Sequence, residues 1–246
     1  MNLSVYFTPL GVTDQTIAGS PVVVVDVLRT TTTIVSALAN GARAILPVAS
    51  AEEALRLAQN LEHPDLLLAG ERGSKRIDGF ALGNSPLEMT EDVVAGKTLV
   101  MATTNGTPAL VAAGSGAPVL IGAVTNFTAV AARARAELDL CGKLTILCSG
   151  REGMFALEDA YCAGRIAQVL VPGRDRRGVE LNDGAIAALQ LVRRYGDRWK
   201  RGVGASAAAR DLKQAGFKPD LEFATGADTH SVVPVYRDRH VTVTES

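Results

Sequence analysis

Asp26, Arg29 and the threonines Thr30 to Thr33 stand together in Pro21-Val-Val-Val-Val-Asp-Val-Leu-Arg-Thr-Thr-Thr-Thr33. A carboxylate, a guanidinium and a row of hydroxyls so close together can serve an oxyanion and a hard cation at once. Similar clusters recur along the chain: Glu71 with Arg72, Thr103-Thr104-Asn105-Gly106-Thr107, and Ser149 with Arg151 and Glu152. Arginine grips phosphate or sulfonate through paired N–H groups. Asp26, Glu71, Glu152, Glu158 and Asp159 are hard oxygen donors suited to Mg2+, which typically takes one or two carboxylates and fills the rest with water and substrate oxygens. Each residue has an ordinary use as well. Asp26 can cap the following turn, and Glu158 and Asp159 can favour a helix start. Their repetition at successive strand ends brings a phosphate-handling site level with those structural uses.

These clusters need elements to bring them together. Val22 to Val25 reads as a strand buried on both faces, as in parallel sheets, and Ile34 to Asn40 as a helix closed by Gly41. A strand, then a polar turn, then a helix places side chains at the C-terminal edge of an α/β sheet, where ligands bind. The helix N-terminus adds free N–H groups for an anion. Further strands are expected at 1–7 (at a sheet edge), 44–48, 66–68, 99–102, 118–122 and 144–147, with C-terminal ends converging on one rim. Helices are expected at 50–61, 107–114 (Thr107 as N-cap, Pro108 in the first turn), 126–138, 156–170, 185–195 and 205–214. Residues 232–235 and 241–243 read as a terminal hairpin whose Pro234 marks its first strand as an edge. The segment 73–89, with Asn84 and Ser85, is too long and polar for a plain connector and reads as a functional loop. Strand, threonine-rich turn, short helix, glycine and strand occur twice, a weak internal duplication. The expected fold class is α/β: a three-layer, largely parallel sheet with helices on both faces and a C-terminal hairpin. It forms one domain, with the option of two pseudo-repeated halves of about 1–97 and 98–246.

Bulk properties narrow the classes. A formal charge of −1 gives no field for nucleic acid or an acidic membrane, and the basic groups Arg174, Arg176, Arg177 and Arg193, Arg194 read as solvated surface. Three cysteines without a CxxC pair fit a reducing compartment. No run approaches bilayer length and no leader is evident, so a cytoplasmic protein is expected. Nucleotide loops of the GxxxxGK[ST] and GxGxxG types are absent, as is a GxSxG elbow. His63, His230 and His240 lie outside the polar turns. The exposed edges and the apolar hairpin fit a homodimer.

Five ordered segments carry a resemblance: residues 26–33, Leu68-Ala-Gly-Glu-Arg-Gly73, Gly79-Phe-Ala-Leu-Gly-Asn-Ser-Pro86, 103–107 and Leu157-Glu-Asp-Ala-Tyr-Cys-Ala-Gly164. Together they resemble the 2-phosphosulfolactate phosphatase family. The resemblance implies a Mg2+-dependent phosphatase of coenzyme M biosynthesis, converting (2R)-2-phospho-3-sulfolactate, or a closely related small phosphorylated hydroxy acid, to the free acid and phosphate. The chain departs from the family pattern at Thr30, where alanine is common, and at Ser74, where a second glycine is common.

Phosphate monoesters hydrolyse so slowly that a site must lower the barrier by roughly 20 kcal/mol, mainly by positioning and neutralising charge. The expected arrangement has Mg2+ on Asp26 and Glu71, with Glu158 or Asp159 close by. Arg29, Arg72 and Arg151 hold the substrate's anionic groups, with Thr31, Thr32, Thr33, Asn84, Ser85, Thr103, Thr104, Asn105, Gly106 and Thr107. Water is the expected nucleophile and Asp26 the alternative. The rival class is a non-catalytic binding protein for a phosphorylated or sulfonated metabolite.

Overall fold

The computed structural model describes residues 1–61, 65–171 and 178–243. His63 and the basic group Arg174, Arg176, Arg177 lie outside the described residues. The strands are β1 Asn2–Tyr6, β2 Val22–Val25, β3 Ala44–Val48, β4 Leu66–Arg72, β5 Lys75–Arg76, β6 Thr98–Ala102, β7 Val119–Gly122, β8 Lys143–Cys148, β9 Glu180–Leu181, β10 Val235–Arg237 and β11 His240–Thr242. The helices are α1 Asp14–Ile17, α2 Thr30–Ala39, α3 Ala51–Leu61, α4 Glu91–Val94, α5 Gly106–Ala112, α6 Phe127–Cys141, α7 Leu157–Leu170, α8 Asp183–Tyr195, α9 Trp199–Gly204, α10 Ala207–Gln214 and α11 Lys218–Ala224.

All these strands join one sheet in the order β5-β4-β6-β3-β11-β10-β7-β2-β8-β1-β9. The valine run lies inside it, between β7 and β8, and the alternation of a strand divides it between two cores. Val23 and Val25 pack with Ile146 and with Val130, Tyr161 and Ile166 from α6 and α7. Val22 and Val24 pack with Ile34 and Val35 of α2 and Ala109 and Leu110 of α5. A third cluster holds Ala54 of α3 against Val100 and Phe80. Helices thus cover both faces, as the all-apolar β2 requires.

Two parallel blocks, β4-β6-β3 and β7-β2-β8-β1-β9, are joined by the antiparallel β10–β11 hairpin. The connection β2–α2–β3 crosses from one block to the other, and β6–α5–β7 crosses back. β2 therefore pairs with β7 (Val22↔Val119) and β3 with β6 (Ala44↔Thr98), both in parallel. The polar turns do not line the rim of one parallel sheet. They meet because both crossovers pass over the junction between blocks.

Several elements differ from expectation. The hairpin lies inside the sheet, not at an edge, and so gives no support for a homodimer. Pro234 immediately precedes β10, where its missing N–H is not needed, and its carbonyl accepts the Ile121 N–H at 2.9 Å. β1 is flanked on both sides, by β8 and by the two residues of β9. The threonines belong to α2 itself rather than to a turn before it. Asn105, not Thr107, stands at the N-cap of α5. The C-terminal helical region contains α9 and α11 as well as α10. Among the described residues, no helix is long and apolar enough to cross a membrane.

Candidate active site

Where the crossovers begin, a cleft of about 100 Å³ is lined by side chains from four strand-end turns and from α10. Asp26, Arg29 and Thr30 come from the β2–α2 turn. Glu71 comes from the end of β4 and Ser74 from the β4–β5 turn, Thr104 and Asn105 from the β6–α5 turn, and Arg151 and Glu152 from the loop after β8. Glu158 and Asp159 open α7, Asn84 comes from the long loop, and Ala208, Asp211 and Leu212 close one wall.

The turns interlock. Thr30 N–H donates to Asp26 Oδ1 at 3.2 Å, and Thr30 Oγ1 donates to Thr103 Oγ1 at 3.2 Å. A Cβ on Gly106 would fall 2.3 Å from the Thr30 Cβ and 2.4 Å from Asp26 Oδ2. Glycine is needed there because the backbone of one turn rests on the side chains of the other. Glu71 ties two more loops, accepting the Thr104 N–H on Oε1 and the Ser74 N–H on Oε2, both at 2.8 Å. Asp159 accepts Val27 N–H at 2.9 Å, Ser149 Oγ at 3.0 Å and Gly150 N–H at 3.3 Å.

Electrostatically the cleft is unbalanced. Its lining carries Asp26, Glu71, Glu152, Glu158, Asp159 and Asp211 against only Arg29 and Arg151. Both guanidiniums are partnered, Arg29 by Asp220 and Arg151 by Asp211. Burial pushes the Asp26 carboxyl up to about 6, with the charge of Glu71 adding to the effect against hydrogen bonds from Thr30 and Ser149. Burial likewise raises Glu158 and, more strongly, Asp159, whose charges with that of Asp26 oppose one another. Asn84 Oδ1 and Thr104 Oγ1 are buried without a hydrogen-bond partner. Buried carboxylates facing one another, with orphaned oxygen atoms nearby, fit a bound hard cation and a hydrated substrate. Among the described residues, no three His, Cys, Asp or Glu side chains form a ready metal cage. Mg2+ does not require one, since water and phosphate oxygens complete its shell.

The expected site residues divide into groups. Asp26, Arg29, Glu71, Asn84, Thr104, Asn105, Arg151, Glu158 and Asp159 line the cleft. Arg72 does not: it is exposed, because successive residues of β4 face opposite sides and Glu71 takes the inner one. Thr31, Thr32 and Thr33 are buried and turn their hydroxyls to the carbonyls of Asp26, Val27 and Asn84. They hold the turn rather than line the cleft. Thr103 and Thr107 cap each other, each N–H meeting the other's hydroxyl at 3.0 Å, and Gly106 supplies the close approach. Ser85 Oγ donates to Asp220 Oδ1 at 2.8 Å. His230 and His240 line no part of the cleft.

Ser74 lies in the segment read as a functional loop without being singled out as a site residue, and Ser206, Asp211 and Asp220 were not anticipated. The Ser206 hydroxyl works against the upward shift of Glu158, Asp211 holds Arg151, and Asp220 holds Arg29. No local signal marks the last three, since the sequence shows only a helix at 205–214 there and Asp220 lies beyond it. The buried thiols Cys148 and Cys162 are pushed upward by burial and by Asp159, which leaves them inert.

The model of a family described as 2-phosphosulpholactate phosphatase matches residues 6–239. A probable 2-phosphosulfolactate phosphatase of Symbiobacterium thermophilum is 40% identical over 232 residues, covering 94% of this chain and 97% of its own. Proteins of the same description from Caldanaerobacter subterraneus and Clostridium novyi are 36% and 35% identical. Those matches cover 95% and 98% of this chain, and 95% and 100% of the relatives.

Proposed function

The chain belongs to the 2-phosphosulfolactate phosphatase family, and from that premise we propose that its cleft converts (2R)-2-phospho-3-sulfolactate to 3-sulfolactate and phosphate with the help of Mg2+. It is a phosphatase, a phosphoric monoester hydrolase. The observation that carries the metal reading is the charge imbalance. A substrate bearing phosphate, carboxylate and sulfonate would meet six lining carboxylates and only two guanidiniums, both already ion-paired, and would be repelled unless a cation intervened.

Asp26 and Glu71 are the residues to hold Mg2+, with Glu158 beside them. Bound there, the ion would neutralise phosphoryl oxygens as charge builds in the transition state. Asp159, with three donors on its oxygens, instead fixes the loop after β8 and the start of α7. Arg29 and Arg151 offer their remaining N–H groups to the anionic ends of the substrate. Asn84 Oδ1 and Thr104 Oγ1 are free acceptors for the O–H of an attacking water or of the departing hydroxy acid. The small cleft suits a three-carbon acid rather than a nucleotide.

The deciding experiment measures phosphate release from 2-phosphosulfolactate and from phospholactate, each with Mg2+ and with EDTA. The expected result is strong, Mg2+-dependent release that favours the sulfonate. Equal release from both substrates would remove the sulfonate assignment, and release unaffected by EDTA would remove the metal.

A further inference from the structure

Arg29 is an unusual cleft residue because nearly all of its surroundings come from elsewhere in the chain. It is 4% exposed. Nη1 donates to Asp220 Oδ2 at 2.7 Å, Nη2 donates to the Ser74 carbonyl at 3.0 Å, and Cζ lies 4.4 Å from the centroid of the Phe217 ring. Asp220 is 3% exposed, and its other oxygen accepts from Ser85 Oγ at 2.8 Å. A guanidinium has five N–H groups in a rigid plane. With two of them and one ring face engaged, its orientation is set and the remaining donors are available to the cleft.

An ion pair this buried is costly to form and adds little to stability compared with apolar packing. Its geometric effect is more distinctive. A guanidinium on a flexible stem would otherwise fold onto the nearest carboxylates, and the cleft offers Asp26, Glu71 and Glu158. Asp220, on α11, is not part of the cleft lining and engages Arg29 in place of those groups. The same helical region also holds Arg151 through Asp211, so α10 and α11 act as a frame for the two guanidiniums of the lining.

We propose that Asp220 is a positioning residue, which with Ser85 and Phe217 fixes the Arg29 guanidinium in the orientation that receives the substrate's anionic group. This rests on the reading of the cleft as the phosphatase site. Asp220 touches no reacting atom in this assignment. Its effect passes through Arg29 alone.

A double-mutant cycle tests the proposal. Asp220→Asn, Arg29→Lys and the double variant are compared with wild type by steady-state phosphate release with Mg2+, and by thermal shift with inorganic phosphate. Asp220→Asn should raise KM about 10- to 100-fold with a smaller fall in kcat. The double variant should be no worse than Arg29→Lys, and phosphate-induced stabilisation should fall in both single variants. Losses that multiply in the double variant would overturn the proposal, as would wild-type KM in Asp220→Asn. Ser85→Ala removes the support of Asp220 together with the longer bond that Ser85 Oγ accepts from the Leu87 N–H at 3.3 Å, and serves if Asp220→Asn does not fold. It should raise KM a few-fold in wild type and not at all in Arg29→Lys, and an equal effect in both backgrounds would overturn the proposal. A wild-type protein that binds phosphate without releasing it from any substrate would overturn the functional reading instead, and the thermal-shift cycle would still decide the role of Asp220.

Discussion

The β2–α2 and β6–α5 turns have the same construction and opposite electrical character. In each, the residue just after the strand accepts the N–H four positions on: Thr30 N–H to Asp26 Oδ1 at 3.2 Å, and Thr107 N–H to Thr103 Oγ1 at 3.0 Å. In each, a threonine hydroxyl returns to that residue's N–H, Thr31 to Asp26 and Thr107 to Thr103, both at 3.0 Å. A neutral hydroxyl therefore does the capping at one turn that a carboxylate does at the other. Capping alone gives no reason to bury a charge at position 26, where burial pushes the carboxyl up to about 6. The difference assigns the Asp26 charge to the cleft and its geometry to the fold.

The sharpest way to test that contrast is Asp26→Asn. The amide keeps an acceptor for Thr30 N–H and loses the charge. Turnover should fall by roughly 10³-fold or more in the phosphate-release assay, while the fold persists. Stability should rise. A carboxyl whose folded pKa lies above its ordinary 3.8 binds its proton more tightly when folded, so its ionised form opposes folding. The advantage of Asp26→Asn over metal-free wild type should be near zero below pH 4, grow between pH 4 and 6, and level off above 6 at about 3 kcal/mol or less. Urea melts across that range check it, and an advantage that shrinks as pH rises would refute the sign. Mg2+ should raise the melting temperature of wild type above pH 6 and leave that of Asp26→Asn nearly unchanged.

Gly106→Ala attacks the contact between the two turns. The added methyl overlaps Thr30 and Asp26, so a loss of about 3 kcal/mol is expected by denaturant melt, with a parallel loss of activity. Thr103→Val removes the neutral cap and should cost about 1–2 kcal/mol, with a smaller loss of turnover than Asp26→Asn. Were the two losses equal, charge would not be what separates the turns. The smallest effect belongs to Ser74→Gly. Ser74 has φ 67°, the left-handed region that disfavours a side chain, so glycine should stabilise by about 1 kcal/mol or less.

The residue types at the strand ends were readable because each follows a short apolar run. Asp26, Thr104 and Arg151 therefore fall at turns, and Glu71 at the end of its strand, whatever the order of strands. Arg72 shows the limit of that reading. It shares a motif with Glu71, but one step along a strand reverses the face, and register is not visible in composition. Thr31 to Thr33 looked like ligand donors because hydroxyls are ambiguous. Inside α2 they bond neighbouring carbonyls, a choice made by where the helix begins.

By itself the sequence determined the local elements: the doubly buried β2, the apolar faces of the helices, the polar turns and the ordered motifs of the family. These depend on periodicity and on residues near one another in the chain. Only the tertiary structure decided that the C-terminal hairpin lies in the middle of the sheet, that reciprocal crossovers press the two turns together, and that Asp220 reaches Arg29 from 191 residues away. Such contacts join segments whose separate sequences carry no trace of the partner. A buried charge can be satisfied by any suitably placed group, and only the folded chain specifies which one is there.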